Sequence, residues 1–470
     1  MKKKLAGRKN LIIILADQLR RQALACYGDP NVSTPNIDRL AAKGVRFNAA
    51  CSTYPVCVPF RFSLMTGEYG HARNVPTIDW QMDPGERSLA DPFNEAGYHT
   101  VYLGKWHLDG IPYPHFDVPV PRERQARWQK WYGFELCNNH FNSFYFEDDD
   151  PEKKLIEGYQ TDGFFDLTIH HLAEKRPKDK PFCCLLSVEP PHFPYEAPEE
   201  DIARWRDREL ILPATFQQRE NYFCPESTWD PPIEADVNDR LRRLRIYYAM
   251  IENLDRNVGK LLDWLDHEGL AENTIVSLIA DHGEMGGAHG FPTAMKESSF
   301  EEAIAIPFIV CDPSVAQTKV IDDVLCTEDF FPTFCGIAGV KVPAGLPGLD
   351  CSPLIRGESR GLERESVLIE MVEERRPKGT FYGHSMRGLR GPRYKYTVLR
   401  GPQGGVYSPG HIAPWQLFDR EKDSLEQRNL LLDPEQDTAE LAQRLHCELV
   451  EKLEAANDGE WIKGCALPFA

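Results

Sequence analysis

The chain has 470 residues, 42% hydrophobic and 27% charged, with Lys+Arg 54 against Asp+Glu 72 and a net charge of −18. At about 150 residues per domain this length predicts roughly two to three domains. The composition excludes a disordered chain and a multispan membrane protein, and the acidic balance excludes a nucleic-acid binder, because phosphate contacts need a basic face.

Met1-Lys2-Lys3-Lys4 and the apolar run Leu11 to Ala16 have the outline of an export signal. The run is short, however, and closes on Asp17-Gln18 without a small-residue cleavage site. It predicts a buried first strand in a cytoplasmic protein with no membrane segment. Thr34 is expected to cap a helix with Pro35 in its first turn and Gly44 as its stop. Ser88 to Ala96 repeats that pattern before the strand His99 to Leu103. Phe182 to Val188 and Thr274 to Ala280 are further strands. Between them Tyr248, Ile251, Leu254, Val258, Leu261 and Leu265 recur at helical spacing, which predicts a long helix ending near Gly269. Short strands alternating with helices predict an α/β fold, a large and mostly parallel sheet sandwiched by helices, over residues 1–360. Residues 111–160 are aromatic, acidic and weakly periodic, which reads as an insertion near a site or a subunit contact. Over 361–470 the strands Met386 to Thr397 and Trp415 to Asp419, with Gly-Pro and Gly-Gly turns, and a helix Thr438 to Ala456 predict a smaller C-terminal α+β subdomain. The thirteen cysteines include no CxxC pair, so neither a disulfide framework nor a zinc knuckle is predicted.

Chemistry gathers just past the strands. The first ends in Asp17-Gln18, the His99 strand in Lys105-Trp106-His107, the Phe182 strand in Pro191-His192 and the Thr274 strand in Asp281-His282. Ligands of open α/β sheets bind outside the carboxyl ends of the strands. Asp17, Gln18, Asp281 and His282 offer two carboxylates, an amide and an imidazole. The oxygens suit calcium or magnesium, and the imidazole leaves manganese open. Cys57-Val58-Pro59-Phe60-Arg61, continuing to Gly67, puts a cysteine at a helix N-terminus with an arginine one turn on. That is an anion site and a candidate activated thiolate; a buried free cysteine is the alternative.

These residues also carry a resemblance. The Cys-x-Pro-x-Arg stretch at 57–61, with Leu64 and Thr66-Gly67, resembles the signature of the formylglycine-dependent sulfatases of the alkaline-phosphatase superfamily. Asn10 to Gln18, Thr34 to Arg39, Gly104 to Leu108, Pro191 to Pro194, Asp281 to Glu284, Lys296 with Phe300 to Glu302, Arg393 to Tyr396 and Trp415 to Asp419 are similar to further blocks of that family, in order along nearly the whole chain. The resemblance implies an alkaline-phosphatase-like fold and hydrolysis of a sulfate ester. It implies that a formylglycine-generating enzyme matures Cys57, whose hydrated aldehyde attacks sulfur and whose hemiacetal then expels sulfate. It further implies that Arg61, Lys105 and Lys296 neutralise the sulfuryl oxygens, that His107 is the base of breakdown and that His192 serves the leaving oxygen. Ca2+ is then the expected ion, held by Asp17, Gln18, Asp281, His282 and position 57, with Mn2+ or Mg2+ as alternatives. Gln18 stands where many members have a second Asp, His282 where they have Asn, Phe60 where Ser is usual and Val58 where a small polar residue is.

A phosphonate monoester or phosphodiester hydrolase of the same fold is the runner-up, against which Lys105 and His107 argue because the cousins resemble a Tyr and Thr arrangement there. A silent anion binder would lack Cys57, Arg61 or a metal ligand, and none is missing. Tyr69, Trp80, Trp106, Tyr113, His140 and Tyr145 offer walls for an aryl or sugar sulfate, and Asn74 and His289 are either substrate contacts or loop residues. The expected partner is a small sulfated substrate, with no nucleic acid or membrane, and a homo-oligomer is left open.

Overall fold

The structure is a computed structural model that describes residues 8–75, 78, 80–110, 116–216, 237–315, 318–372, 374–375, 381–382, 385–400 and 412–469. Ten strands build the main sheet: β1 (Asn10–Ala16), β2 (Val45–Phe47), β3 (His99–Lys105), β4 (Lys130–Phe134), β5 (Phe144–Glu147), β6 (Lys154–Leu155), β7 (Phe182–Val188), β8 (Thr274–Ala280), β9 (Phe308–Cys311) and β10 (Lys319–Ile321). Their order is β10-β2-β9-β8-β1-β7-β3-β4-β5-β6. The centre, β8-β1-β7-β3-β4, is parallel, and β9 runs against both of its neighbours. Leu11, Ile12, Ile13, Ile14 and Leu15 are all fully buried. A strand covered by helices on both faces needs such a continuous apolar run, not an alternating one. Each of these side chains contributes about 1.5–3 kcal/mol through removal from water.

The helices fall where expected, with one change in how they are held. Pro35–Ala42 and the long helix Val237–His267 form as predicted. Thr34, however, makes no side-chain cap. Its hydroxyl instead donates to Asp38 Oδ1 at 3.1 Å, and the free N–H groups of Asn36 and Ile37 are taken by Asp255 Oδ1 of the long helix at 2.9 and 2.7 Å. A distant carboxylate does the capping, so burial of one helix against the other fixes both.

The 111–160 stretch departs from expectation. It supplies β4 alongside β3 and then the antiparallel strands β5 and β6, so it extends the sheet instead of forming an insertion. Its two tryptophans at 128 and 131 are core: both are fully buried, and Tyr102 stacks on Trp131 with centroids 4.7 Å apart.

Beyond the main sheet lie β11 (Val367–Met371), β12 (Glu374–Arg375), β13 (Phe381–Tyr382), β14 (Ser385–Arg390), β15 (Tyr394–Arg400) and β16 (Ile412–Asp419). Strands β11-β14-β15-β16 form an antiparallel sheet whose β14–β15 turn falls at Gly391-Pro392; the expected Gly404-Gly405 turn lies outside the described residues. The helix Thr438–Ala455 lays Leu445, Leu449 and Leu453 over Leu389, Tyr396 and Val398 of this sheet. No helix among the described residues is long and apolar enough to cross a membrane.

Candidate active site

Four carboxyl strand ends converge. Asp17 and Gln18 follow β1, Asp281 and His282 follow β8, Lys105 closes β3, and His192 lies four residues past β7. The helix Cys57–Thr66 points its N-terminus into this group and ends on Gly67, whose φ of 74° is the left-handed region glycine favours. Gly104 lets the chain turn into Lys105: its φ is 96°, and a Cβ there would lie 1.9 Å from the Ser187 carbonyl oxygen.

One ligand atom from each of Asp17, Cys57, Asp281 and His282 lies within 4.8 Å of the others, all four residues being buried. Cys57 Sγ is 3.2 Å from His282 Nε2, 3.6 Å from Asp17 Oδ1 and 3.5 Å from Lys296 Nζ. Arg61 Nη2 donates to Asp17 Oδ2 at 3.1 Å and to Asp281 Oδ2 at 3.4 Å, and Lys105 Nζ to Asp17 Oδ2 at 2.7 Å. Gln18, held at φ 63°, turns its Oε1 to Lys296 Nζ at 3.3 Å while its Nε2 donates to Glu284. The structure thus brings Asp17, Gln18, Cys57, Arg61, Lys105, Asp281, His282 and Lys296 together.

The charges in this cluster do not balance locally. Burial works to raise Asp17, but Lys105, His192 and Arg61 outweigh it and hold the carboxyl well below its usual range. Asp281 is pushed up to about 7, by burial first and then by the Asp17 charge beside it. Burial brings His282 down to about 4, so its imidazole is neutral, and its Nδ1 lies 3.0 Å from the Gly283 carbonyl, leaving Nε2 for the cluster. Two buried carboxylates, of which one would otherwise hold a proton, beside a neutral imidazole fit a divalent cation.

The three cations and two further imidazoles lie around it. Lys296 Nζ is 2.9 Å from His192 Nε2, and His192 Nδ1 is 2.6 Å from the Phe193 carbonyl. Burial and then Lys296 depress His192 far below the ordinary histidine value, so the ammonium is the donor and the imidazole the acceptor. His107 is likewise held neutral by burial, Lys105 and Arg61, and its Nδ1 is buried without a partner.

Two acidic residues were missed. Glu135, directly after β4, accepts His107 N–H on its main-chain oxygen at 2.9 Å and Asp109 N–H on Oε1 at 3.0 Å. It thereby fixes His107 in its left-handed conformation at φ 57°. Glu189, directly after β7, lies 3.8 Å from Lys105 and accepts Gln160 Nε2 at 2.8 Å. Both obey the strand-end rule that found the others.

The expected walls fare differently. Trp106 is buried edge-on to Tyr102 and Trp131, and His140 is buried with Nε2 2.9 Å from the His192 carbonyl, so both are packing and not walls. Tyr69 stacks on His71, Trp80 meets the edge of Phe62, and Tyr145 packs on Tyr132. Tyr113 lies outside the described residues. His289 is buried and stacked on Phe300 at 3.7 Å, with Nε2 3.5 Å from Glu302, whereas Asn74 is an exposed residue closing a short turn.

The sulfatase family model matches residues 9–340, and that of the C-terminal part of N-sulphoglucosamine sulphohydrolase matches residues 287–455. The chain belongs to the sulfatase family. An ulvan-active sulfatase of Formosa agariphila is 32% identical over 96% of this chain and 82% of its own length. An N-acetylglucosamine-6-O-sulfatase of Bacteroides thetaiotaomicron is 24% identical over 90% of this chain and 82% of its own. A solved chain from a study of the metabolism of multiple glycosaminoglycans by Bacteroides thetaiotaomicron has a TM-score of 0.82 at 25% identity, covering 97% of this sulfatase and 98% of that chain. The phosphonate monoester hydrolase of Agrobacterium radiobacter, at 21% identity and a TM-score of 0.74 over 96% of this chain and 95% of its own, shares the fold. The sulfatase is therefore a sulfuric ester hydrolase on an alkaline-phosphatase-like scaffold.

Proposed function

We propose that this sulfatase removes a sulfate group from a carbohydrate, with Cys57 matured to formylglycine and Ca2+ held by Asp17, Gln18, Asp281 and His282. The observation that carries the reading is the convergence of Cys57, two carboxylates, a neutral imidazole and Lys296 at one helix N-terminus. The aldehyde hydrate at position 57 supplies the nucleophile, and the cation supplies charge stabilisation for the sulfuryl oxygens, a role Mn2+ or Mg2+ would share.

The chain's own side chains divide the remaining work. Arg61 and Lys105, each buried and bound to Asp17, hold fixed positive charge on one side of the cluster, and Lys296 holds it on the other. His107, neutral and with a free ring nitrogen, is the base at position 57. Lys296 and His192 form the pair at the leaving oxygen, the ammonium carrying the proton and the imidazole fixing its direction.

The sugar is favoured because the relatives' names include an N-acetylglucosamine-6-O-sulfatase. The maturation enzyme is a partner by the same reading. Cytoplasmic placement is supported by the twelve described cysteines, all free. A panel of sulfated monosaccharides and aryl sulfates tests the substrate, with the matching aryl phosphonate as control. Higher kcat/KM on sulfates than on the phosphonate is expected; a strong preference for the phosphonate would overturn the reading.

A further inference from the structure

A second polar site lies at the same carboxyl edge of the sheet, displaced towards β2 and β10. There a cavity of about 710 Å³ is lined by Arg21, Arg46, Arg390 and Arg420, with Asp322 its one carboxylate. That volume is in the range of small-molecule sites. Asp322 is engaged by Asn48 Nδ2 at 2.7 Å.

The positive charge here exceeds what surrounds it. Behind the wall, Glu301 meets Arg390 at 3.0 Å, Arg420 at 2.9 Å, Lys395 at 3.6 Å and Arg21 at 3.9 Å. Glu426 meets Lys395 and, at 3.4 Å, Arg420. Four cations thus share two carboxylates. Arg46 at the rim lies over the Tyr27 ring at 4.9 Å, and the nearby carboxylate Asp38 accepts instead from Cys26 N–H and the Thr34 hydroxyl. Arg390 is 2% exposed, and its Nη1 is buried without a hydrogen-bond partner. A buried guanidinium left short of acceptors is costly unless something supplies them. Burial, with Arg390 and Arg420, works against the charge on Arg21 and outweighs the support of Glu301. In a chain of net charge −18, this concentration of arginine has the signature of an anion site.

We propose that this cavity binds an oxyanion, a sulfate or carboxylate group held by Arg46 and by the positive charge of Arg21, Arg390 and Arg420 in excess of Glu301 and Glu426, apart from the catalytic cluster. Guanidinium groups match oxyanions with paired N–H donors, which favours a planar or tetrahedral anion over chloride. The group would come either as free inorganic sulfate or on a sugar ring, for which the cavity has room.

Selenate soaked into crystals of the whole enzyme is the structural probe, because selenium reports its own position by anomalous scattering. A peak between the four arginines is expected, and an empty cavity at a concentration that fills the catalytic site would overturn the proposal. In solution, calorimetric titration of the Lys296→Ala variant, in which the catalytic site is weakened, should retain one sulfate per chain. Adding the rim change Arg46→Ala should weaken that binding about tenfold, the loss of one charged hydrogen-bonding group. Arg46→Ala alone should leave turnover of a small aryl sulfate unchanged, so failure here is separate from failure of the proposed reaction. A sulfated monosaccharide that binds at least about tenfold more tightly than sulfate, with the same dependence on Arg46, identifies the sugar-borne group; equal affinities identify the free ion. Sulfate binding that ignores Arg46 overturns the site.

Discussion

Two clusters among the described residues present a histidine and two carboxylates within metal-binding distance of one another: Asp17, Asp281 and His282, joined by Cys57, and His71 with Glu370 and Asp458. By residue type they are near equivalents. By charge they are opposites. In the first, Asp281 is driven up to about 7 and His282 down to about 4, each chiefly by burial, so even with Arg61 and Lys105 beside Asp17 the histidine is neutral and turns Nε2 to the cluster. In the second, Glu370 outweighs burial and lifts His71 to about 9. Arg387 adds a second cation, 3.8 Å from Glu370 and bonded to Asp458. Two cations then face two carboxylates, and His71 Nε2 is spent on the Ala456 carbonyl at 3.0 Å. The first is the candidate metal site; the second is a latch joining the turn after the Cys57 helix to β11 and the C-terminal helix. The state of the histidine, more than the count of ligands, separates them: His282 is neutral with Nε2 facing the cluster, whereas His71 holds its proton and has both ring nitrogens engaged.

The largest effects should appear at the first cluster. Cys57→Ala is expected to lower kcat more than about 10³-fold, since the remaining groups have no nucleophile to serve. The fold should survive, as seen by an unchanged circular dichroism melt. Peptide mass analysis of active enzyme should find the aldehyde at position 57; activity from a wholly unmodified thiol would sink the mechanism. Asp281→Asn should lose the bound metal by elemental analysis and activity with it. In chelator, the same variant should melt only slightly below wild type, because the amide oxygen keeps the Gln18 and His282 N–H bonds and relief of the crowding with Asp17 offsets the lost bond from Arg61. A marked drop in chelator would show that the carboxylate is there for stability.

His107→Ala comes next, with a fall in kcat of about 10²- to 10⁴-fold, the usual range for a general base, and little change in melting. Glu135→Gln keeps the main-chain oxygen that holds His107 and an Oε1 that can accept from Asp109 N–H, so it should lower kcat far less than His107→Ala and leave KM unchanged. A variant of His107 with normal turnover would remove it from the mechanism.

At the latch the effect should move from activity to stability. Glu370→Ala leaves His71 and Arg387 without their shared partner, and losing one side of a buried pair costs about 3–5 kcal/mol. Chemical denaturation should show this, with metal content unchanged. Loss of metal from this variant would contradict the distinction between site and latch.

How much of this was legible follows from where each residue sits. Asp17, Gln18, Asp281 and His282 were found because each directly follows an apolar run that has to be a buried strand, so sequence position alone fixed their place at the sheet edge. Glu135 obeys the same rule but follows Lys130–Phe134, a short run interrupted by Gly133 within an acidic stretch, and the strand itself went unread. Trp106 was misjudged because a residue between two site residues on a turning chain can face either way; here it packs into Tyr102 and Trp131. The four arginines of the second cavity come from positions 21, 46, 390 and 420, and no local spacing announces a site that only the folded sheet assembles. The latch is similar, since His71 and Glu370 meet only through tertiary packing.

The smallest expected effect is a dependence of stability on pH that belongs to the latch. His71 Nδ1 lies 2.5 Å from Glu370 Oε2, and its value rises from 6.5 to about 9 in the folded protein. A group that holds its proton more tightly when folded contributes stability in full below its unfolded value, and loses it as pH climbs through the folded value. The contribution should therefore be complete below about pH 6.5, decline across the window up to about pH 9 and be gone above it. Its full size is on the order of 3 kcal/mol, the free-energy equivalent of that rise. Urea midpoints of the metal-free enzyme between pH 6 and pH 10 would measure it. His71→Gln should lie below wild type at pH 6 and converge on it near pH 10, because the neutral side chain has no proton to lose. If the two curves run parallel across that range, His71 is neutral in the folded protein and the latch is held by Arg387 alone.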